Sequence, residues 1–249
     1  MPVDERCKEC VPHNALGPHS RALAGGPVTV ELFCSAILFD LDGVLVDSGA
    51  SVRRSWVQWA GDHHLDADTV VAATPGRRSV DTIRAVAPQL DAELEAARLE
   101  QRQSTDVADI EPCSGARTLL EELDEDEWAV VTSAPTWLAK IRLRAAGLPE
   151  PRVLVGNDAV DVGKPDPSGY LLAARRLGRT TLDCVVIEDA QSGIEAGKRA
   201  GIRVVALAYG EDAAALSGAD VVVATCADLV IRRDVERGFR LTAEQVVVR

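Results

Sequence analysis

The sequence predicts an α/β fold, a doubly wound parallel sheet with a small α-helical domain inserted after its first strand. Short apolar runs recur along the chain, helical patterns separate most of them, and one connection is far longer than the others. Runs that are apolar throughout suit strands that are buried on both faces. Alternation of strands and helices produces right-handed crossovers in a parallel sheet, which has helices on both sides.

Six apolar runs are the predicted strands of this sheet. They are short and rich in valine and isoleucine, and none shows the strict alternation of a sheet with one face in solvent. In chain order they read SAILFD, EWAVVTS, PRVLVGND, CVVIED, IRVVALAYG and ADVVVAT.

The segments between these runs predict helices. TWLAKIRLRAAG has apolar residues at helical spacing and ends at Gly147. DPSGYLLAARRLG has Asp166 as a candidate N-cap, Pro167 in the first turn and Gly178 at the stop. SGIEAGKRAG follows the fourth strand in the same way.

The long connection spans roughly 65 residues between Asp47 and Pro112, too many for a loop joining a strand to a helix. It contains helical patterns and no convincing strand, so we expect a helical cap above the strand ends. The predicted division is an N-terminal extension at 1–32 with 1–27 dispensable, a core at 33–47 and 113–249, and a cap at 48–112.

The composition excludes several classes of function. The 249 residues are 47% apolar, enough for a sizeable core, and the net charge of −12 argues against a nucleic-acid surface. No apolar run approaches the length of a membrane span, and the N-terminus lacks the apolar stretch of a secretory signal. We therefore expect a cytoplasmic protein, monomeric or weakly dimeric, that binds neither nucleic acid nor membranes.

The cysteines predict a reducing compartment, because several lie in apolar strand-like runs where they act as small buried hydrophobes. The N-terminal stretch CKECVPHNALGPH contains ligand types that zinc accepts, although the spacing is not that of a standard finger and the alternative is a disordered tail. The six cysteines are Cys7, Cys10, Cys34, Cys113, Cys184 and Cys226, and the candidate zinc ligands are Cys7, Cys10, His13 and His19.

Polar side chains follow three of the predicted strands where each strand ends. Ligands of doubly wound sheets bind outside the carboxyl ends of the strands, so one cleft can collect these residues. Lys164 precedes Pro165, just before a predicted helix. The strand-end residues are Asp40 and Asp42, Thr132 and Ser133, and Glu188 and Asp189.

Four carboxylates in one cleft repel one another unless a cation lies between them. Oxygen ligands favour a hard ion, and Mg²⁺ bound by a few carboxylates usually shares its other positions with water and a substrate phosphate. A carboxylate nucleophile forms an aspartyl-phosphate, and a lysine and a hydroxyl are suited to neutralising the transferred oxygens. The residue types therefore indicate phosphoryl transfer with Mg²⁺. Each motif alone also has an ordinary explanation, as a cap, a turn former or an exposed lysine.

The segments FDLDGVLVDS, VVTSA, GKPDPSGYLLAARRLG and VVIEDAQSGIEAGKRAG resemble the four motifs of the haloacid dehalogenase-like hydrolase superfamily. The resemblance covers residues 36–227 and implies a Rossmann-like core with the helical cap of subfamily I. It implies that Asp40 is the nucleophile and a metal ligand, and that Asp42 is the general acid/base, with its main-chain carbonyl on the metal. It also implies phosphate binding by Ser133, Ala134 and Lys164, and a metal site completed by Asp189 and Glu188.

Because Asp42 is present, the resemblance implies hydrolysis of a phosphate ester rather than dehalogenation. GRRSVDTIRAVAP and EWAVVTSAP are similar to segments of phosphatases that act on sugar and polyol phosphates, so the expected partner is a small phosphorylated metabolite. That group has His-Gly where this chain has Pro75-Gly76, and Ser-Gly-Thr where it has Ser133-Ala134-Pro135. The cap loop at Gly76 is expected to select the leaving group, with Arg77 and Arg78 either contacting substrate or forming a solvated pair.

Two alternatives to a phosphatase stay open on the sequence. β-Phosphoglucomutases share the motifs and the cap but have an arginine at the position that corresponds to Ser79 of this chain, one position from Arg78. The second alternative is a non-catalytic phosphosugar sensor, and the intact motif residues argue against this hypothesis. We expect Trp56 and Trp59 to pack in the cap core rather than stack on a sugar.

Overall fold

The computed structural model describes residues 28–209, 216, 218–234 and 238–245. The candidate zinc ligands Cys7, Cys10, His13 and His19 lie outside these residues, as does the extension at 1–27.

In the described residues we number eleven strands and eight α-helices in chain order. The strands are β1 (Val28–Cys34), β2 (Ala36–Phe39), β3 (Val46–Asp47), β4 (Glu111–Pro112), β5 (Trp128–Val131), β6 (Leu154–Val155), β7 (Cys184–Glu188), β8 (Arg203–Leu207), β9 (Val221–Val223), β10 (Leu229–Asp234) and β11 (Gly238–Gln245). The helices are α1 (Gly49–Asp62), α2 (Ala67–Ala72), α3 (Ser79–Val86), α4 (Ala92–Gln103), α5 (Ala116–Glu121), α6 (Thr136–Ala145), α7 (Ser168–Leu177) and α8 (Gln191–Arg199).

The central sheet has six parallel strands in the order β6-β5-β2-β7-β8-β9. These are the six predicted apolar runs, and the predicted doubly wound sheet is confirmed. Their side chains are buried on both faces: β2, β5 and β7 contain no exposed residue. The strand order reverses at β2, which lies between β5 and β7, so the switch point of the sheet is at the end of the strand that leads into Asp40.

The helix termini follow the predicted chemistry with one shift. Helix α7 starts at Ser168 with Pro167 in the N-cap position, one residue later than predicted. The Asp166 carboxylate still accepts a hydrogen bond from the Ser168 backbone amide at 2.9 Å, so it satisfies a free donor of the first turn. Gly178 ends α7 in the left-handed region, with φ of 71°.

The inserted segment contains helices α1 to α4, which we call the cap (residues 49–103). Trp56 and Trp59 are buried in its core and form an edge-to-face pair with ring centroids 5.5 Å apart, as expected. The two chain crossings between cap and core run beside each other, because Val46–Asp47 pairs with Glu111–Pro112 in a short antiparallel ladder.

A second sheet, which the sequence did not predict, has the order β1-β11-β10 and is antiparallel. It accounts for the C-terminal segment, whose residues Phe239, Leu241 and Ala243 are fully buried in the same apolar cluster as β8 and β9. Strand β1 starts at Val28, so the predicted core boundary at residue 33 falls inside this strand.

Cys34, Cys113, Cys184 and Cys226 are buried free thiols, as predicted. A search of the described helices finds none with the length and apolar character that crossing a bilayer requires.

Candidate active site

The polar strand-end residues meet at the carboxyl edge of the central sheet. Asp40 and Asp42 follow β2, Ser133 follows β5 and Asp189 follows β7, and all four line one cleft between core and cap. The cleft has a volume of about 760 Å³, which suits a small metabolite. The parallel register of β2 with β5 and β7 is what brings these side chains together.

Two glycines allow the carboxylates to approach closely. Gly43 has φ of +85°, and a Cβ there would lie 1.9 Å from an Asp189 carboxylate oxygen. A Cβ on Gly193, in the first turn of α8, would lie 1.6 Å from a Glu188 carboxylate oxygen. Any side chain at either position would therefore displace an acidic group of the site.

Lys164 is buried and donates hydrogen bonds from Nζ to Asp40 and, at 2.6 Å, to Glu188. The charges of both carboxylates keep the pKa of Lys164 above its usual value against the opposing effect of burial. The ammonium group is therefore present at neutral pH and directed at the carboxylate that we predict to be the nucleophile.

Glu188 is fully buried, and hydrogen bonds occupy both of its oxygens. Oε1 accepts from Lys164 and from the Tyr170 hydroxyl at 2.8 Å, and Oε2 accepts from the backbone amides of Asp189 and Ala190. Its geometry suits orientation of Lys164 and of the loop after β7. One Glu188 oxygen also lies within 4.8 Å of ligand atoms of Asp40 and Asp189.

The donor set fits a hard divalent cation. Asp40, Glu188 and Asp189 each offer a carboxylate oxygen within this group, with no histidine or cysteine among them. Burial, followed by the charges of Asp40 and Glu188, raises the pKa of Asp189 well above its usual value. Burial also raises the pKa of Asp40, to about 7, although Lys164 opposes this. Carboxylates that are destabilised in their charged form in this way are suited to binding a cation.

The second carboxylate of the first motif has its own partners. Asp42 accepts a hydrogen bond from the Ser48 hydroxyl at 2.6 Å and from Arg142 at 2.7 Å. Arg142 donates its other terminal nitrogen to the side-chain oxygen of Gln103 at 2.9 Å. Asp42 therefore lies in a network that does not include the Asp40–Lys164 pair.

Ser133 and Ala134 form the turn after β5 that is expected to bind phosphate. The Ala134 amide donates to the Thr132 hydroxyl at 3.1 Å, and the Asn157 side chain donates to the Ser133 carbonyl at 3.1 Å. The Ser133 hydroxyl donates to the Gly76 carbonyl of the cap at 2.8 Å. The cap loop thus lies directly on the predicted phosphate-binding serine.

The two cap arginines behave differently. Arg77 is exposed and lines the cleft, so it remains a candidate for substrate contact. Arg78 does not line the cleft: its guanidinium pairs with Asp81 at 2.6 Å and donates to the Asp161 carbonyl at 2.9 Å. These contacts hold the start of α3 against the core, and substrate contact by Arg78 stays a prediction.

The structure adds residues that the sequence reasoning did not name. Glu100 of α4 is half-buried and lines the cleft, and burial raises its pKa although the neighbouring Ser79, Arg142 and Asn157 oppose this. Arg142 lies in the apolar stripe of TWLAKIRLRAAG, and a charged residue in such a stripe was a detectable signal. Glu100 had no comparable signal, because acidic residues are frequent on exposed helix faces.

Comparison with known proteins agrees with this geometry. Residues 34–201 match the family model of haloacid dehalogenase-like hydrolases. Hexitol phosphatase A of Escherichia coli (strain K12) is 37% identical over 205 residues, which cover 80% of this chain and 95% of that protein. 2-Deoxyglucose-6-phosphate phosphatase 1 of Saccharomyces cerevisiae (strain ATCC 204508 / S288c) is 29% identical over 245 residues, covering 88% and 99% of the two chains. A solved hydrolase from Pseudomonas syringae has a TM-score of 0.69 at 28% identity, covering 78% of this chain and 95% of its own.

Proposed function

Because this chain belongs to the haloacid dehalogenase-like hydrolases and is a phosphoric monoester hydrolase, we propose that it hydrolyses a small sugar or polyol phosphate. The reaction would pass through an aspartyl-phosphate on Asp40 and would require Mg²⁺. The observation that carries this proposal is the meeting of Asp40, Lys164, Ser133 and Asp189 at one edge of the sheet.

In the first half-reaction, an Asp40 oxygen forms a bond to phosphorus while the bond from phosphorus to the ester oxygen breaks. Asp42 gives a proton to the departing oxygen, so the alcohol leaves neutral. Lys164 and the Ser133 hydroxyl hold the transferred oxygens. In the second half-reaction, a water molecule attacks phosphorus while Asp42 takes its proton. The bond between phosphorus and the Asp40 oxygen breaks, which releases inorganic phosphate and restores the Asp40 carboxylate.

Mg²⁺ would be held by Asp40, by Asp189 and by the Asp42 carbonyl, and Glu188 would orient these ligands. The ion supplies charge neutralisation, which lets the dianionic phosphate approach a cleft lined by carboxylates. Lys164 alone cannot supply this, since Asp40 and Glu188 already surround it.

The substrate class is supported by the leaving-group side of the cleft and by the relatives. Glu100, Gln103 and Ser79 line this side and offer hydrogen-bond partners suited to hydroxyl groups. The two relatives described above are named for hexitol and for 2-deoxyglucose 6-phosphate. We propose that the substrate is a small hydroxyl-rich metabolite, met in the cytoplasm by a monomer or weak homodimer.

The contacts of Arg78 support a phosphatase over the mutase alternative. It required an arginine near position 79 of the cap to hold a second phosphate, and Arg78 is engaged with Asp81 and Asp161. Glu100 also lines the cleft, and we expect its carboxylate to disfavour a second phosphate there.

The test is a panel of sugar, polyol and nucleotide monophosphates assayed for phosphate release with Mg²⁺ and with EDTA. We expect fastest release from sugar or polyol phosphates, and loss of release in EDTA. β-Glucose 1-phosphate with a trace of the bisphosphate separates the alternatives, because a mutase yields glucose 6-phosphate and a phosphatase yields inorganic phosphate. Absence of phosphate release from every ester of the panel would contradict the proposal.

A further inference from the structure

Arg142 is a charged residue on the buried face of α6. Leu138, Ala139 and Leu143 are the other buried residues of this helix, and only 4% of the Arg142 surface is exposed. Transfer of a guanidinium to such a position costs several kcal/mol unless other groups pair with it. A side chain at this position therefore needs partners that only a specific arrangement of the protein provides.

Those partners are Asp42 and Gln103. One terminal nitrogen of Arg142 donates to Asp42 Oδ2 at 2.7 Å, and the other donates to Gln103 Oε1 at 2.9 Å. Asp42 belongs to the core, whereas Gln103 is the last residue of α4 in the cap. Arg142 thus connects the predicted general acid/base to the cap through two hydrogen bonds.

The second partner of Asp42 lies at the other chain crossing between the two parts of the protein. Ser48 immediately precedes α1 and donates to Asp42 Oδ1 at 2.6 Å. Both oxygens of the Asp42 carboxylate are therefore held, Oδ1 by Ser48 at the entry to the cap and Oδ2 by Arg142 of the core, which in turn contacts the cap through Gln103. A change in the position of the cap relative to the core would act on the Ser48 contact directly and on the Arg142 contact through Gln103.

We propose that Arg142 is a positioning residue that holds the Asp42 carboxylate in place for proton transfer only while Gln103 of the seated cap holds Arg142. The proposal rests on the proposed function, since it needs Asp42 to act on the leaving group. When the cap moves away, Arg142 loses its hydrogen bond to the Gln103 oxygen, and its guanidinium is no longer held in one orientation. Asp42 then loses one of its two restraints. Proton transfer then becomes efficient only after the substrate is enclosed.

Two single variants test this arrangement. Arg142→Met replaces the guanidinium with an unbranched apolar side chain on the buried face of α6, and Gln103→Leu removes only the hydrogen-bond acceptor of the cap. Arg144→Met and Gln101→Leu are matched controls, because they change the same residue types on the exposed faces of the same two helices. Arg142→Lys is the conservative variant, which can restore one charged contact with Asp42.

The readout separates positioning from general damage. An alkyl ester must have its leaving oxygen protonated, whereas p-nitrophenyl phosphate releases a stable phenolate that does not need the proton. We expect Arg142→Met to lower the single-turnover rate of alcohol release from glycerol 1-phosphate or sorbitol 6-phosphate, whichever the panel shows to be faster, by about 100-fold. The rate of the p-nitrophenolate burst should fall by no more than about tenfold. Arg142→Lys should recover part of the alkyl rate, and both controls should match the wild-type protein.

Gln103→Leu should lower the alkyl single-turnover rate by about tenfold, the size of one coupled hydrogen bond, and by much less in an Arg142→Met background. Additive losses in the double variant, or equal losses for the alkyl and aryl esters, would overturn the proposal. If the wild-type protein shows no burst and no phosphate release, the proposed function itself fails, which is a different result.

Discussion

The Ser133 hydroxyl donates a hydrogen bond to the Gly76 carbonyl at 2.8 Å, so the predicted phosphate-binding group is bonded to the cap. A phosphate that binds Ser133 must replace this carbonyl as the acceptor. Gly76 has φ of +66°, and a Cβ there would lie 2.3 Å from the Ser192 hydroxyl and 2.7 Å from the Ala190 side chain. The cap therefore reaches the site only because residue 76 has no side chain.

Gly76→Ala should keep the cap from seating on the core. The left-handed conformation and the close contacts cost about 1–3 kcal/mol, and we expect kcat/KM to fall by about 5–150-fold as a result. The matched control is Gly61→Ala in α1, where a Cβ would meet nothing within 4 Å. Steady-state kinetics and thermal unfolding of both variants check this. An unchanged kcat/KM in Gly76→Ala would show that the loop is not needed at the site.

Asp40→Asn should remove turnover while leaving the fold intact. The amide cannot form the acyl-phosphate, and loss of a nucleophile typically lowers kcat by about 10⁴-fold or more. Asp126→Asn, on the exposed surface, is the control. Phosphate release and far-UV circular dichroism are the measurements. Activity of Asp40→Asn within tenfold of wild type would rule out the covalent route.

The stability of the metal-free protein should fall as the pH rises from about 4 to about 7. Burial and neighbouring charges raise the pKa of Asp40 from 3.8 to about 7, so the folded protein binds a proton that the unfolded chain has already released. The pKa of Asp189 is also raised, so its deprotonation likewise lowers the stability of the folded protein as the pH rises. Mg²⁺ should therefore raise the melting temperature more at pH 7.5 than at pH 5, as measured by thermal unfolding with EDTA or Mg²⁺.

Asp40→Asn serves as the control for this pH dependence, since it removes one titrating group. The Mg²⁺-dependent rise in melting temperature should vary less with pH in this variant. A rise that is the same at both pH values in the wild-type protein would contradict the assignment of these carboxylates as ligands.

Glu100→Gln should change the choice of leaving group. Glu100 lines the cleft, and we expect its carboxylate to face the leaving group. Its removal should then raise kcat/KM for an ester with a second phosphate, relative to a neutral polyol phosphate, by about tenfold. Glu93→Gln is the matched control, an exposed acid on the same helix. Fructose 1,6-bisphosphate and sorbitol 6-phosphate provide the comparison. An unchanged ratio would place Glu100 away from the leaving group.

Shortened chains test the N-terminal prediction. A chain that starts at Val28 should keep its melting temperature and kcat, because residues 1–27 are expected to be dispensable. A chain that starts at Ala36 lacks β1 and should be strongly destabilised, since β1 pairs with β11 along its whole length. Leu32→Ala, which should cost about 2–5 kcal/mol, gives the same information if the shorter chain does not fold. Loss of activity in the chain that starts at Val28 would contradict the dispensable role.

The central sheet was predictable because each of its strands has a local sequence pattern of consecutive apolar residues. Cys184–Glu188 is buried on both faces, so five consecutive residues carry the signal. The outer sheet was missed because the prediction rested on continuous apolar runs, whereas β11 alternates between buried residues such as Phe239 and Leu241 and more exposed ones such as Arg240. Its partner β1 lies at the other end of the chain, and no local pattern reports so distant a pairing.

The same distinction applies to the site. Asp40, Ser133 and Asp189 could be placed together from the sequence, because each ends a strand of one parallel sheet. The Arg142–Asp42–Gln103 network could not, since it joins three segments through side chains whose directions depend on how the cap packs. Arg78 illustrates the same limit, because only the structure shows that Asp81 and the Asp161 carbonyl are its partners.

The pairing of Val28 with Gln245 makes the protein a candidate for circular permutation. The two residues face each other across neighbouring antiparallel strands, so a short glycine-rich linker can join them without crossing the active-site cleft. New ends opened in the exposed turn at Asp124–Asp126, before β5, would leave the cap with both of its crossings intact. The catalytic strands and the cap would then fold from a chain in which the first motif no longer comes first.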